Sequence, residues 1–93
     1  MKANQLAIEI KSGRISKVEI INNQNANEDR FEICFKNIAD DTKITLSQNG
    51  SVKVFKRQYN AIAAIQKLGW VGEIMLLSYN KELNSKSMTT MTI

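Results

Sequence analysis

Apolar residues recur along this chain at two periods, and the switch between them predicts where its strands and helix lie. Leu6, Ile8 and Ile10 alternate with Ala7, Glu9 and Lys11, the period of a half-buried strand. Ser12-Gly13 offers a turn, and Ile15 to Ile21 reads as the antiparallel partner. Pairing Ile8 with Val18 and Leu6 with Ile20 sets like against like, whereas a one-residue slip exposes one set. Ile15 falls out of that phase, which predicts a bulge or a wider loop near the turn. The run NNQNANED from Asn22 to Asp29 has no apolar period and reads as a loop. Phe31, Ile33 and Phe35 then alternate with Glu32, Cys34 and Lys36 as a third strand, and Asn37 to Asp41 is a short connection.

From Ser51 to Tyr79 the pattern reads strand, helix, strand. Thr42–Ser47 and Ser51–Phe55 flank Gln48-Asn49-Gly50. A two-residue Asn-Gly turn sets Leu46 opposite Lys53, whereas a three-residue loop pairs Leu46 with Val52 and Ile44 with Val54. The apolar match favours the longer loop. Ala61, Ile62, Ile65 and Leu68 fall on one helical stripe, predicting a helix from Arg57 or Gln58 to Leu68. Gly69 suits the position after the helix, where positive φ is needed, and Trp70 can fold back on the last turn. The helix start is poorly made: no Ser, Thr or Asp stands ready to cap it, and Lys56 and Arg57 place positive charge at the positive end of the dipole. Ile74 to Leu77 is a continuous apolar run, as in a strand covered on both faces or one with a sticky outer face.

The expected fold is α+β, a mainly antiparallel sheet of five or six strands with one helix, about residues 57–68, packed on one face. Residues 1–79 form that single domain, and 80–93 read as a flexible polar tail in which SMTTMTI offers a short edge strand.

Composition narrows the chemistry. Ninety-three residues, 43% hydrophobic and 24% charged, make one ordinary folded domain. There is no histidine, and the single cysteine, Cys34, excludes an intramolecular disulfide and any multi-cysteine metal site. No apolar run approaches the about 20 residues that span a bilayer. A soluble protein of the reducing cytoplasm is expected. The net charge of +4 is mild, but Lys43 to Lys67 contains no acidic residue at all.

Nucleophilic catalysis lacks its usual base. Cys34 sits mid-strand, where a structural role is expected; Asp40-Asp41 suit a turn; the four glycines are dispersed and form no phosphate loop. An enzyme is not expected, nor any cofactor or metal. Two surfaces remain. Lys53, Lys56 and Arg57 cluster near the helix N-terminus, where free N–H groups and the dipole favour a phosphate or carboxylate; the plainer reading is a solvated basic edge. If Val52, Val54, Ile33, Phe35, Ile74 and Leu76 face the helix, then Cys34, Phe55, Met75 and Leu77 face away, and Phe55, Met75 and Leu77 offer an apolar face to a partner or a second copy.

The stretch VKVFKRQYNAIAAIQKLGW, about a fifth of the chain, resembles segments of small phage and plasmid accessory proteins, in which a strand ending in Phe-Lys leads into an alanine-rich helix closed by Leu-Gly. In size, basicity and lack of an active site the chain is also similar to phage inhibitors of bacterial defence of the anti-CRISPR type. That resemblance implies a non-enzymatic inhibitor occupying a surface of a host protein or nucleoprotein complex, and it transfers no site residues. The alternative is a direct nucleic-acid-binding module using the basic patch.

Overall fold

In the computed structural model, which describes residues 1–24, 28–80 and 85–93, the chain begins with a helix where alternation predicts a strand: Ala3–Lys11 form α1. Leu6 and Ile10 are one helical turn apart as well as two strand steps apart, so the same residues satisfy both periods. Leu6 is fully buried and Ile10 packs on the core, but Ile8, which the strand period places beside them, is 59% exposed. Good helix formers around them, Ala3, Gln5, Ala7 and Glu9, tip the balance. The N–H of Lys2 donates to Oε1 of Gln5 at 3.4 Å. At the other end the Gly13 and Arg14 N–H groups donate to the Ile10 and Glu9 carbonyls, and Arg14 Nε lies 3.0 Å from Glu9 Oε2. The expected pairing of Leu6 with Ile20 and of Ile8 with Val18 is therefore replaced by helix-on-sheet packing.

Seven strands follow among the described residues: β1 Ile15–Gln24, β2 Phe31–Asn37, β3 Lys43–Thr45, β4 Ser47–Gln48, β5 Ser51–Val52, β6 Glu73–Asn80 and β7 Ser85–Thr92. Helix α2, Gln58–Lys67, separates β5 from β6. The main sheet runs β3-β2-β1-β6-β7, with β4 and β5 forming a small separate hairpin. All its pairs are antiparallel except β1 with β6, which run parallel at the centre. The fold is thus α+β, with two helices rather than one and a mixed sheet. The irregularity expected at Ile15 is present: Ile15 opposes Asn37 while Lys17 opposes Lys36, leaving Ser16 as an extra residue whose Oγ donates to the Lys36 carbonyl at 3.3 Å. The bulge turns Ile15 into the core, although its partner strand is β2.

The segment read as a loop from Asn22 begins as sheet, because Asn22–Gln24 continue β1 beside Ser78–Asn80. Asn22 is buried and satisfied on both sides: its Nδ2 donates to Asp29 Oδ1 at 3.0 Å, and its Oδ1 accepts the Arg30 N–H at 3.0 Å. Hydrogen bonds from Gln24 and Asn22 hold the Asp29 carboxyl below its ordinary pKa. Residues 25–27 of that expected loop lie outside the described residues.

At the β4–β5 hairpin, Asn49 and Gly50 both have positive φ, 54° and 79°, as a two-residue type I′ turn requires. Ser47 opposes Val52, and the Lys53 N–H donates to the Leu46 carbonyl at 2.9 Å. The three-residue loop is not formed, because its apolar match is made elsewhere. Ile44 pairs with Phe35, Leu46 is buried and donates to the Ile33 carbonyl, and Val52 stays 47% exposed.

Helix α2 buries Ala61 and Ile65, with Ile62 and Leu68 packed partly on the core. Arg57 stands at its start with no side-chain cap, as expected. Gly69, at φ 94°, ends it: its N–H donates to Gln66 and that of Trp70 to Ile65, the paired bonds of a Schellman motif. A Cβ at Gly69 would meet no atom within 4 Å, so the penalty for a side chain is conformational rather than steric. Gly69→Val lowers stability by about 1 kcal/mol or more. Urea denaturation checks this, and an unchanged midpoint contradicts it.

The stretch expected as a tail supplies strand β7, antiparallel to β6 from Glu73↔Thr92 to Asn80↔Ser85. The edge strand foreseen for Ser87–Ile93 exists and is longer than foreseen; residues 81–84 lie outside the described residues. Register divides the sheet into two faces. Val18 and Ile20 of β1, Ile33 and Phe35 of β2 and Ile74 of β6 share one face, and Leu6, Ala61 and Ile65 of the helices join them in a single core. Both helices lie on that face, and among the described residues no element covers the other.

Candidate partner-binding face

Strand alternation determines what the uncovered face presents. Its central row crosses three strands, with Ile21 of β1 beside Leu77 of β6 and Leu77 beside Met88 of β7. Leu77 is buried by its neighbours, Ile21 is half-buried and Met88 is 64% exposed. The next row sets Cys34, Glu19, Met75 and Thr90 side by side. On the far side of the central row, Tyr79 lies under Lys86, whose Nζ is 5.5 Å from the ring centroid.

The same register gathers a basic row at one end. Lys17 opposes Lys36, and Lys36 opposes Lys43, on three adjacent strands. With strands about 4.8 Å apart, three ammonium-bearing side chains start within about 10 Å of one another. Directly opposed like charges are unfavourable in a sheet. One neighbour relieves them in part: Lys43 Nζ lies 3.9 Å from Oε1 of the buried Glu19. The sequence pattern does not announce this row, since its members are scattered through the chain and meet only through strand order.

Of the residues expected to face outward, Cys34, Met75 and Leu77 do so, but Phe55 does not. Phe55 pairs with Phe31 as an isolated bridge, exchanging backbone hydrogen bonds of 2.8 Å, and packs partly on the core. It follows the separate β4–β5 hairpin rather than the main sheet, so alternation along the main sheet does not govern it. Cys34 is buried, its Sγ lies 3.6 Å from Thr45 Oγ1, and desolvation pushes its thiol pKa up, away from thiolate character.

The expected basic cluster divides. Lys53 folds over the Phe55 ring, 5.3 Å from its centroid, and lines a groove of about 530 Å³ together with Lys2, Asn4 and Leu46. Lys56 and Arg57 are exposed at the start of α2 and do not line it. The groove joins Lys53 to Lys2 at the start of α1, a neighbour concealed while that segment reads as a strand. Among the described residues, no three His, Cys, Asp or Glu side chains are grouped to hold a metal ion, and no helix is long and apolar enough to cross a membrane. No family model matches the chain, and neither does any curated protein or solved structure.

Proposed function

We propose that the chain is a binding protein without catalysis of its own, which occupies a surface of another protein or nucleoprotein complex through the uncovered face of its sheet. The observation that carries this reading is the juxtaposition, on one uncovered face, of the Ile21–Leu77–Met88 apolar row and the Lys17–Lys36–Lys43 basic row. An apolar centre beside lysines suits a partner surface with apolar and acidic groups. The resemblance to phage inhibitors of bacterial defence points to a partner among nucleic-acid-guided defence complexes and to action in the cytoplasm. Glu19 and Glu32 on the same face disfavour a phosphate backbone, and Tyr79 is the one aromatic residue that the strands place on it among the described residues, whereas single-strand binders offer several.

Two double variants of the face, a third as control and an oligonucleotide assay test the reading. Ile21→Thr with Met75→Thr, and Lys17→Glu with Lys36→Glu, abolish capture of the partner held by the parent protein. Lys56→Glu with Arg57→Glu leaves capture intact. Circular dichroism confirms that each variant is folded. Capture that survives both face variants overturns the reading. Tight oligonucleotide binding at physiological salt replaces it with direct nucleic-acid binding, provided that the log–log salt slope shrinks by about 0.7–0.9 for each phosphate freed by lysine reversal.

A further inference from the structure

Strand β7 ends the sheet, and the orientation of its peptide groups follows from its last pair. Gly72 and Ile93 donate to each other at 3.0 and 2.9 Å. Such mutually bonded pairs alternate along an antiparallel ladder, so Ser87, Thr89 and Met91 turn their peptide groups to β6. Lys86, Met88, Thr90 and Thr92 therefore turn theirs outward, a row of N–H and C=O groups with no backbone partner among the described residues. Side chains from Lys86 to Thr90 are exposed.

Sheet edges are ordinarily protected by shortness, charge, proline or a bulge. The opposite edge, β3, is three residues long and begins with Lys43. By contrast β7 is eight residues long, has no proline, pairs with β6 without a bulge and carries one charge, Lys86.

We propose that β7 pairs antiparallel with β7 of a second copy about a two-fold axis at Thr89, joining the two sheets into one. In that register Met88 opposes Thr90 and Lys86 opposes Thr92, so every outward peptide group from Lys86 to Thr92 finds a partner. Self-complementarity selects a second copy over another extended chain. The outward set maps onto itself, no lysine meets a lysine, and a pairing of one edge with itself closes instead of propagating. An axis at Met88 instead leaves Thr92 without a partner in the described strand. The axis stands perpendicular to the sheet, so Met88 of each copy lies on the same side, and the Ile21–Leu77–Met88 row of one copy runs on through Thr90 to Met75 of the other. This interface uses the sheet edge, and it holds or fails independently of what the face binds.

Sedimentation equilibrium of the whole chain shows the mass doubling as concentration rises. Thr89→Cys gives a covalent dimer under glutathione disulfide, because opposed Cα atoms at such a non-hydrogen-bonded position lie about 4.5 Å apart, within disulfide reach. Thr92→Cys, opposite Lys86, does not, and the parent controls for Cys34. Met88→Lys with Thr90→Lys sets lysines opposite one another and yields a folded monomer, whereas Met88→Glu with Thr90→Lys restores the dimer. A parent monomeric at its highest soluble concentration overturns the proposal. So do equal cross-linking at positions 89 and 92, or a dimer that survives the double lysine variant.

Discussion

Phe35→Ala lowers the stability of the fold by about 3–5 kcal/mol, the range for truncating a fully buried aromatic ring. Phe35 lies in β2 between Val18 of β1 and Ile44 of β3, only 1% exposed, and faces the helices. Its strand neighbours are hydrogen-bonded on both sides and cannot move in to fill the space. The loss therefore combines the transfer of the ring with the cavity it leaves. Domains of this size are stable by about 5–15 kcal/mol, so the variant loses a large share of its margin. Equilibrium urea denaturation measures it. A loss below about 1 kcal/mol, the scale of surface substitutions, means that β2 presents its other face to the helices.

Leu6→Ala costs about 2–5 kcal/mol, and this result separates the two readings of the N-terminal segment. Leu6 is the one fully buried residue of α1, so the docking of that helix rests largely on it. Ile8→Ala is the internal comparison. If the segment were a strand, the two residues would share a buried face and both truncations would be costly. In the helix Ile8 points toward solvent, and its truncation leaves the denaturation midpoint nearly unchanged. Equal losses at the two positions contradict α1.

The contrast between these two sites shows what the residue pattern carries. β2 is legible because Phe31, Ile33 and Phe35 alternate with polar residues in a run rich in strand formers, so period and propensity agree. α2 is legible from its apolar stripe and from Gly69, whose position after the last turn is set by backbone stereochemistry. At the N-terminus, three apolar residues spaced by two leave the period ambiguous over a single short segment, and helix propensity decides it. The Asn49-Gly50 turn misleads for a different reason. Apolar matching asks for partners to Leu46 and Ile44 across the hairpin, yet they find them on β2, and no local argument reveals a partner from another strand. The candidate face is half legible. Alternation assigns Met75 and Leu77 outward, while Ile21, Met88 and the lysine row emerge only once strand order is known.

The parallel seam between β1 and β6 also governs the order in which this chain can fold. Val18 meets Ile74 more than half the chain later, so their pairing requires a long loop closure, while β1 with β2 and β6 with β7 are joined by short connections. The two antiparallel pairs can therefore form early, and the seam that unites them forms last. Until residues 73–80 arrive, β1, with its apolar Val18, Ile20 and Ile21, lies at an open edge of whatever has already assembled, the situation in which edge-to-edge association is most favoured. A nascent or truncated chain ending before Glu73 is thus left with its central strand exposed. Residues 73–80 must therefore be in place before β1 is shielded from edge-to-edge association.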